Sequence, residues 1–237
     1  MLVEHLARAS HPLSLQQLQH GLAIPRSSLH ALVATTVRAG WAVQRDGGYA
    51  LGPVARLLGS TQLDDINIDE VAANALTRLR NEVQETVHLA TLDGRETLYL
   101  VSRFSPHALG IRFQPGRRLP AQITALGKAM LAACSPDQLA AHLPDEYIAP
   151  TPNSVRSEEQ LRKELEQVRQ RGYAIDDEET AVGLRCFAVT LPTPMPPIHA
   201  ISCSAPLARL DSDREALIVS ALVKCRDELL GQLTATV

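Results

Sequence analysis

Ser14-Leu-Gln-Gln-Leu-Gln-His-Gly-Leu-Ala-Ile-Pro-Arg-Ser-Ser-Leu-His-Ala-Leu-Val-Ala-Thr-Thr-Val-Arg-Ala-Gly40 decides how the first sixty residues fold. Ser14 with Gln17 three positions later spells a capping box, so a helix starts there. Leu15, Leu18 and Leu22 give it an apolar side, and Gly21 suits the left-handed position that ends it. Pro25 suits the first position of a second helix. Behind it Leu29, Leu32, Val33, Thr36 and Val37 recur at helical spacing, one buried face that Gly40 closes. Two short helices joined by a Gly-containing turn make a helix-turn-helix. Upstream, Leu2, Val3 and Leu6 mark a short helix that stops before His11-Pro12. Downstream, Trp41–Gln44, a turn at Arg45-Asp-Gly-Gly and Tyr49-Ala-Leu read as a β-hairpin, the wing of such a unit. Trp41, Tyr49 and Leu51 are expected in its core.

The second helix presents Arg26, Ser27, Ser28, His30 and Ala31 near its N-terminus, the end with which a recognition helix meets DNA. Arg26 suits a phosphate or a guanine edge. The serine hydroxyls and first-turn N–H groups suit phosphate oxygens. Arg45, near the wing tip, suits a neighbouring groove. Residues 1–60 hold five arginines, no lysine and two acids, a net +3, which leaves −6 for the rest of a chain whose total is −3. A basic head on an acidic body favours a polyanion partner for the head. A small helical protein-binding module is the alternative, with Arg56 a solvated surface residue.

The 237 residues, 45% hydrophobic and 21% charged, are enough for one or two domains with a substantial core. Residues 59–66 are polar and acidic and read as a hinge. Asn67 with Glu70 caps a helix whose stripe is Ile68, Val71, Ala75, Leu76 and Leu79. The stripe pairs with a second copy or packs on its own body. Val87–Leu92, Asp93-Gly94 and Thr97–Ser102 form a hairpin, and Ile111–Phe113 a further strand. Thr124–Ala133 is helical with Thr124 as cap. Ser157 and Gln160 start another helix, carrying Leu161, Leu165 and Val168 to Gly172. Tyr173–Ile175, Cys186–Leu191 and Ile198–Ser204 read as strands, the Pro-rich 192–197 as a loop, and Asp211–Leu230 as a closing helix. Hairpins mixed with helices imply an α+β fold. The expected organisation is a head over 1–58, a hinge and linker helix over 59–82, and a body over 83–237.

Several function classes find no support. No apolar run is long enough for a transmembrane helix, and no signal peptide precedes the first helix. Cys134, Cys186, Cys203 and Cys225 lack zinc or redox spacing, so free thiols in a reducing cytoplasm are expected. Gly127-Lys128 is no P-loop, because Gln122 and Ala129 stand where Gly and Ser or Thr are needed. Ile201-Ser-Cys-Ser-Ala is no nucleophile elbow. An enzyme built on Asp176, Cys186 or the serines with His88, and a metal sensor built on Asp176, Cys186 and a histidine, have no local motif behind them. No catalytic residue, metal or cofactor is expected.

Together these segments resemble the isocitrate-lyase-regulator (IclR) family of transcription factors. The head is similar in Leu15-Gln-Gln-Leu18, Ile24-Pro-Arg-Ser-Ser-Leu-His30 and Tyr49-Ala-Leu-Gly52. The body is similar in Glu85-Thr-Val-His-Leu89, Gly116-Arg-Arg-Leu-Pro120, Thr124-Ala-Leu-Gly-Lys-Ala129, Arg171–Glu179, Gly183-Leu-Arg-Cys186 and Ala200-Ile-Ser-Cys-Ser204. The likeness spans nearly the whole chain. It implies a winged helix-turn-helix that binds double-stranded operator DNA. It also implies a GAF-like effector-binding domain, an antiparallel sheet with flanking helices, and a homodimer or homotetramer. Family members respond to a small metabolite, commonly a carboxylate. By motif position its pocket is framed by Ala125, Leu126, Gly127, Asp176, Leu184, Cys186, Ser202 and Ser204. The expected function is a cytoplasmic, effector-responsive regulator of a catabolic operon, with no membrane partner.

The chemistry of those residues suits an anion. The helix start at Thr124 offers unpaired N–H groups and a positive dipole end. Ser202 and Ser204, two apart on a strand, face one side. Asp176 repels a carboxylate and better accepts from a hydroxyl or amide. Leu184 and Cys186 share a face and suit a wall. The bland alternative is that the serines satisfy backbone, Cys186 fills core and Asp176 is solvated. The chain also departs from many relatives: Ala31 stands for Arg, Ser28 for Thr, and the segment before the first helix is short. The operator sequence therefore does not carry over.

Overall fold

The computed structural model describes residues 2–7, 9, 11–45, 47–55, 68–108, 110–191 and 198–234. Arg8, Asp46 of the wing turn, Arg56, the 59–66 hinge, the Asn67 cap and the 192–197 loop lie outside the described residues, as do the side chains of Ile68 and Val71. Contacts divide the chain into Met1–Asn67 and Ile68–Val237.

The first unit is α1 (Leu2–Ala7), α2 (Leu15–Leu22), α3 (Arg26–Arg38), β1 (Ala42–Arg45) and β2 (Gly48–Leu51). The capping box forms as read: Gln17 N donates to Ser14 Oγ at 3.3 Å and Ser14 N to Gln17 Oε1 at 2.8 Å. The end of α2 differs from the sequence reading. Ala23, with φ 52°, takes the left-handed position. Gly21 lies inside the helix, where a Cβ would strike the His5 ring. Its small size lets α1 lie against α2. Pro25 caps α3 rather than opening it. Leu2, Leu6, Leu18, Leu29, Val33 and Ala42 form the core, with Tyr49 and Leu51 packed against it. The buried strip of α3 is narrower than its periodicity predicts: Leu32 is 39% exposed, as Trp41 is at 36%. β1 and β2 pair antiparallel, Ala42 opposite Leu51 and Arg45 opposite Gly48. Leu13 and Tyr49 exchange two 2.8 Å backbone bonds along the outer edge of β2.

The second unit runs α4 (Ile68–Val83), β3 (Thr86–Asp93), β4 (Glu96–Arg103), β5 (Arg118–Pro120), α5 (Ala125–Ala133), α6 (Pro136–His142), α7 (Glu158–Arg171), β6 (Ala174–Asp177), β7 (Leu184–Leu191), β8 (His199–Pro206) and α8 (Ser212–Thr234). Its antiparallel sheet has the order β5-β4-β3-β8-β7-β6. Alternating residues serve two cores. Leu89, Phe187 and Ile201 pack with Leu76 of α4 and Leu222 of α8. Ala90, Ala188 and Ala200 pack with Met130 of α5 and Leu165 of α7. The stripe on α4 thus covers its own body: Ala75, Leu76 and Leu79 are buried, and the expected linker helix is part of this unit.

Two expectations change. Residues 111–113 form no strand; the edge partner of β4 is β5, Arg118 opposite Leu98. Ile111 and Phe113 still pack against the core, which explains their apolar spelling. The helix α6 went unread, although Ser135 and Gln138 repeat the capping box of Ser14 and Gln17.

Candidate functional site

On the α5 face of the sheet the register sets polar groups in two cross-strand rows. Asp176 lies opposite Cys186, and Cys186 opposite Ser204. One step along, Ala188 lies opposite Ser202, Ser202 opposite His88, and His88 opposite Ser102. The start of α5 stands over this face. Thr124 Oγ1 accepts from Gly127 N at 2.9 Å, and Thr124 O accepts from Lys128 N at 2.9 Å. The N–H groups of Ala125 and Leu126 therefore have no intrahelical acceptor. Gly127 is needed for close approach, since a Cβ there would collide with the Ala121 backbone.

A small cavity, about 10 Å³, lies between helix start and sheet. Six of the sequence-chosen residues line it together: Ala125, Leu126, Asp176, Cys186, Ser202 and Ser204. Tyr99, Phe113, Thr124 and Thr180 complete the wall. Gly127 and Leu184 are not on it; Gly127 spends its N–H on the Thr124 cap, and Leu184 is buried in the core at the start of β7. Tyr99 and Thr180 were not singled out by sequence, because a strand tyrosine and a loop threonine carry no local signal. Phe113 carries only a strand signal in the sequence.

Asp176 is held inside a turn. Its Oδ1 accepts from Glu179 N at 2.8 Å and Thr180 N at 3.2 Å, and its Oδ2 from Thr180 Oγ1 at 2.6 Å. Burial nevertheless raises its carboxyl above the ordinary carboxylate value. Burial also pushes the Cys186 thiol well up, aided by the Asp176 charge, while Ser204 hydrogen-bonds to it and pulls the other way. Behind this turn Lys128, fully buried on α5, pairs with Glu179 and, at 2.6 Å, with Glu164 of α7. Burial lifts the Glu179 carboxyl to about 7 against the pull of Lys128. This buried ionic cluster has no local signal in the sequence, where Lys128 stands in the rejected P-loop and in the Thr124–Ala129 motif without a partner to name.

In the first unit Arg26, Ser27, Ser28 and His30 are exposed along the N-terminal half of α3, and Arg45 is exposed at the end of β1. Leu29 and Val33 are buried and anchor the helix to the core. Among the described residues, no three His, Cys, Asp or Glu side chains gather as for a metal ion, and no helix is long and apolar enough to cross a membrane.

A family model described as the IclR helix-turn-helix domain matches residues 1–46, and one described as the bacterial transcriptional regulator IclR C-terminal matches residues 60–229. The chain belongs to the IclR family. It is 31% identical over 234 residues to the transcriptional repressor IclR of Escherichia coli K12, covering 96% of this chain and 85% of that protein. It is 30% identical over 234 residues to the acetate operon repressor of Salmonella typhimurium LT2, with the same coverage. The fold matches an IclR homolog from Microbacterium hydrocarbonoxydans, crystallised with 4-hydroxybenzoate, at a TM-score of 0.80 and 23% identity, over 96% of this chain and 95% of that one. The two-unit plan is thus that of IclR transcriptional regulators: a helix-turn-helix head and an α+β C-terminal domain.

Proposed function

We propose that this IclR-family protein binds double-stranded operator DNA through α3 and the wing, and that a small organic acid in the α5 cavity changes its operator affinity. Arg26 pairs with a phosphate or guanine, Ser27, Ser28 and His30 contact the backbone and groove edge, and Arg45 reaches an adjacent groove. The acid's carboxylate meets the Ala125 and Leu126 N–H groups at the positive end of α5, beside Ser204. Tyr99, Phe113 and Leu126 give the rest of the acid an apolar wall suited to an aromatic ring. The observation that carries this reading is the convergence of the helix start at Ala125 and Leu126 with polar sheet residues on one small cavity.

An acid of several non-hydrogen atoms exceeds the present cavity, so it binds by moving a wall. A ligand that prefers the opened form shifts the population toward it, which is the linkage a regulator needs. The relatives named as repressors, one of an acetate operon, support repression of a catabolic operon. The protein acts in the cytoplasm as a homodimer or homotetramer, without a membrane partner. The relatives are regulators rather than enzymes, and a buried, protonated Cys186 thiol would be a poor nucleophile.

Thermal denaturation of the full chain against aliphatic and aromatic acids tests the pocket, because a ligand bound only by the native state raises its stability. At least one acid is expected to raise the melting temperature of the wild type. If none does at millimolar concentration, the reading fails.

A further inference from the structure

The second row of the sheet face holds a pair of polar groups that the protein leaves unsatisfied. His88 is fully buried on β3, its ring edge-on to Tyr99 at 5.0 Å and stacked on Phe113 at 6.1 Å, both cavity residues. His88 Nδ1 lies 2.9 Å from Ser102 Oγ, and Ser102 Oγ donates to Phe113 O at 2.8 Å. A hydroxyl has one proton. With that proton given to Phe113, His88 Nδ1–H must be the donor to Ser102. The neutral ring then carries a bare lone pair on Nε2, which finds no protein partner. Burial holds the imidazole neutral by lowering its pKa to about 3.

Ser202, 1% exposed and opposite His88 across the β3–β8 pair, also has a hydroxyl without a protein partner. Opposed side chains on one face lie about 5 Å apart at Cβ. So one acceptor and one donor are buried on opposed residues, and each costs stability while unpaired. A hydroxyl group answers both at once, because it donates once and accepts. A second carboxylate cannot, since it has no proton for Nε2. An ammonium cannot, since it has no lone pair for Ser202.

We propose that His88 Nε2 and Ser202 Oγ read a hydroxyl on the effector, so that the effector is a hydroxy acid. This rests on the pocket reading above. The effector's O–H donates to His88 Nε2 and its oxygen accepts from Ser202. The carboxylate lies with Ser204 and the start of α5. Ser202 and Ser204 are two residues apart on one strand, roughly 7 Å. That span separates the polar ends of a compact acid, such as a ring with carboxylate and hydroxyl at opposite ends.

Calorimetric titration of the full chain with matched acids, 4-hydroxybenzoate against benzoate and 4-hydroxybutyrate against butyrate, tests this. One hydroxy acid is expected to bind at least about tenfold more tightly than its partner. His88→Phe, which keeps an aromatic ring but no acceptor, is expected to erase that ratio, so that the two acids of a pair bind alike. Equal affinities within both matched pairs overturn the hydroxyl assignment while leaving the pocket reading intact; a bridging water would give this result. Binding of none of the four overturns both. Nitrogen-15 NMR of the wild-type histidines gives a measurement that needs no variant. Nε2 of His88 is expected to be unprotonated at neutral pH and to shift with the bound hydroxy acid but not with the plain one. A protonated Nε2 in the free protein contradicts the proposal.

Discussion

Thr180 Oγ1 stands 2.6 Å from Asp176 Oδ2 and 3.1 Å from the carbonyl oxygen of Ile123, two acceptors for one hydroxyl proton. While Asp176 is ionised the two acceptors share that proton; once Asp176 is protonated, its carboxyl can donate to Thr180 and leave Thr180 to donate to Ile123. Burial raises the Asp176 carboxyl in the same sense. A neutral Asp176 removes the repulsion that a carboxylate ligand would otherwise meet at this wall.

The sign of the pH effect follows. A carboxyl whose folded pKa is raised favours the folded and anion-bound states while protonated, and that contribution is lost as pH rises through the raised value. Affinity for an acid effector should therefore fall as pH rises above the ordinary carboxylate range. Asp176→Asn, neutral at every pH, should retain binding at high pH and flatten the profile. Calorimetric titrations across pH, wild type against variant, check this; an unchanged slope would place the pH dependence elsewhere.

Lys128 anchors the same turn from behind. Removing it strands the Glu179 carboxylate in the interior, and breaking a buried pair costs about 3–5 kcal/mol. Glu179 titrates near 7 with Lys128 present. Without Lys128 its carboxyl rises further, so Lys128→Met should lose most stability in mild base and recover some in mild acid. Urea unfolding on both sides of neutrality measures it. A loss that does not change with pH would exclude an unpaired Glu179 as its cause.

Gly127 has no room for a methyl group against the Ala121 backbone. Gly127→Ala should cost roughly 1–3 kcal/mol by overpacking and push the start of α5 off the cavity. Weaker acid binding together with a lowered denaturation midpoint is the expected pair of results. Normal binding would show that the helix end tolerates the displacement.

Arg26 is exposed at the first position of α3, and the helix is held to its core by Leu29 and Val33 rather than by Arg26. Arg26→Ala should weaken DNA binding about tenfold and reduce its salt dependence by roughly one phosphate contact, with no change in head stability. Fluorescence anisotropy at several salt concentrations separates these effects. An unchanged affinity removes Arg26 from the interface.

Much of this was legible in residue order. Ser14 with Gln17, Thr124, and Ser157 with Gln160 mark helix starts because capping needs those side chains at those offsets. The alternation through Ala200-Ile-Ser-Cys-Ser204 sorts the two sheet faces correctly because strand period is fixed. Asp176, Cys186, Ser202 and Ser204, named from motif position, do reach one cavity. What stayed hidden depends on pairing between distant segments. The role of Gly21 follows from His5 crossing over it, and that of Lys128 from Glu164 and Glu179. The tautomer of His88 depends on Ser102, its partner across β3–β4, sending its proton to the distant Phe113 carbonyl. Leu184 looked like wall because it shares a face with Cys186, but it lies in the core one strand-step away.

The central claim is that one acid-binding cavity controls one DNA-binding head. Anisotropy titration of the full chain on DNA from upstream of its own gene, with and without an acid that raises its melting temperature, tests this most directly. Binding at low salt that weakens steeply as salt rises, and an affinity that the acid shifts at least about fivefold, are expected. DNA binding that the acid leaves unchanged, or no binding at low salt, would contradict it.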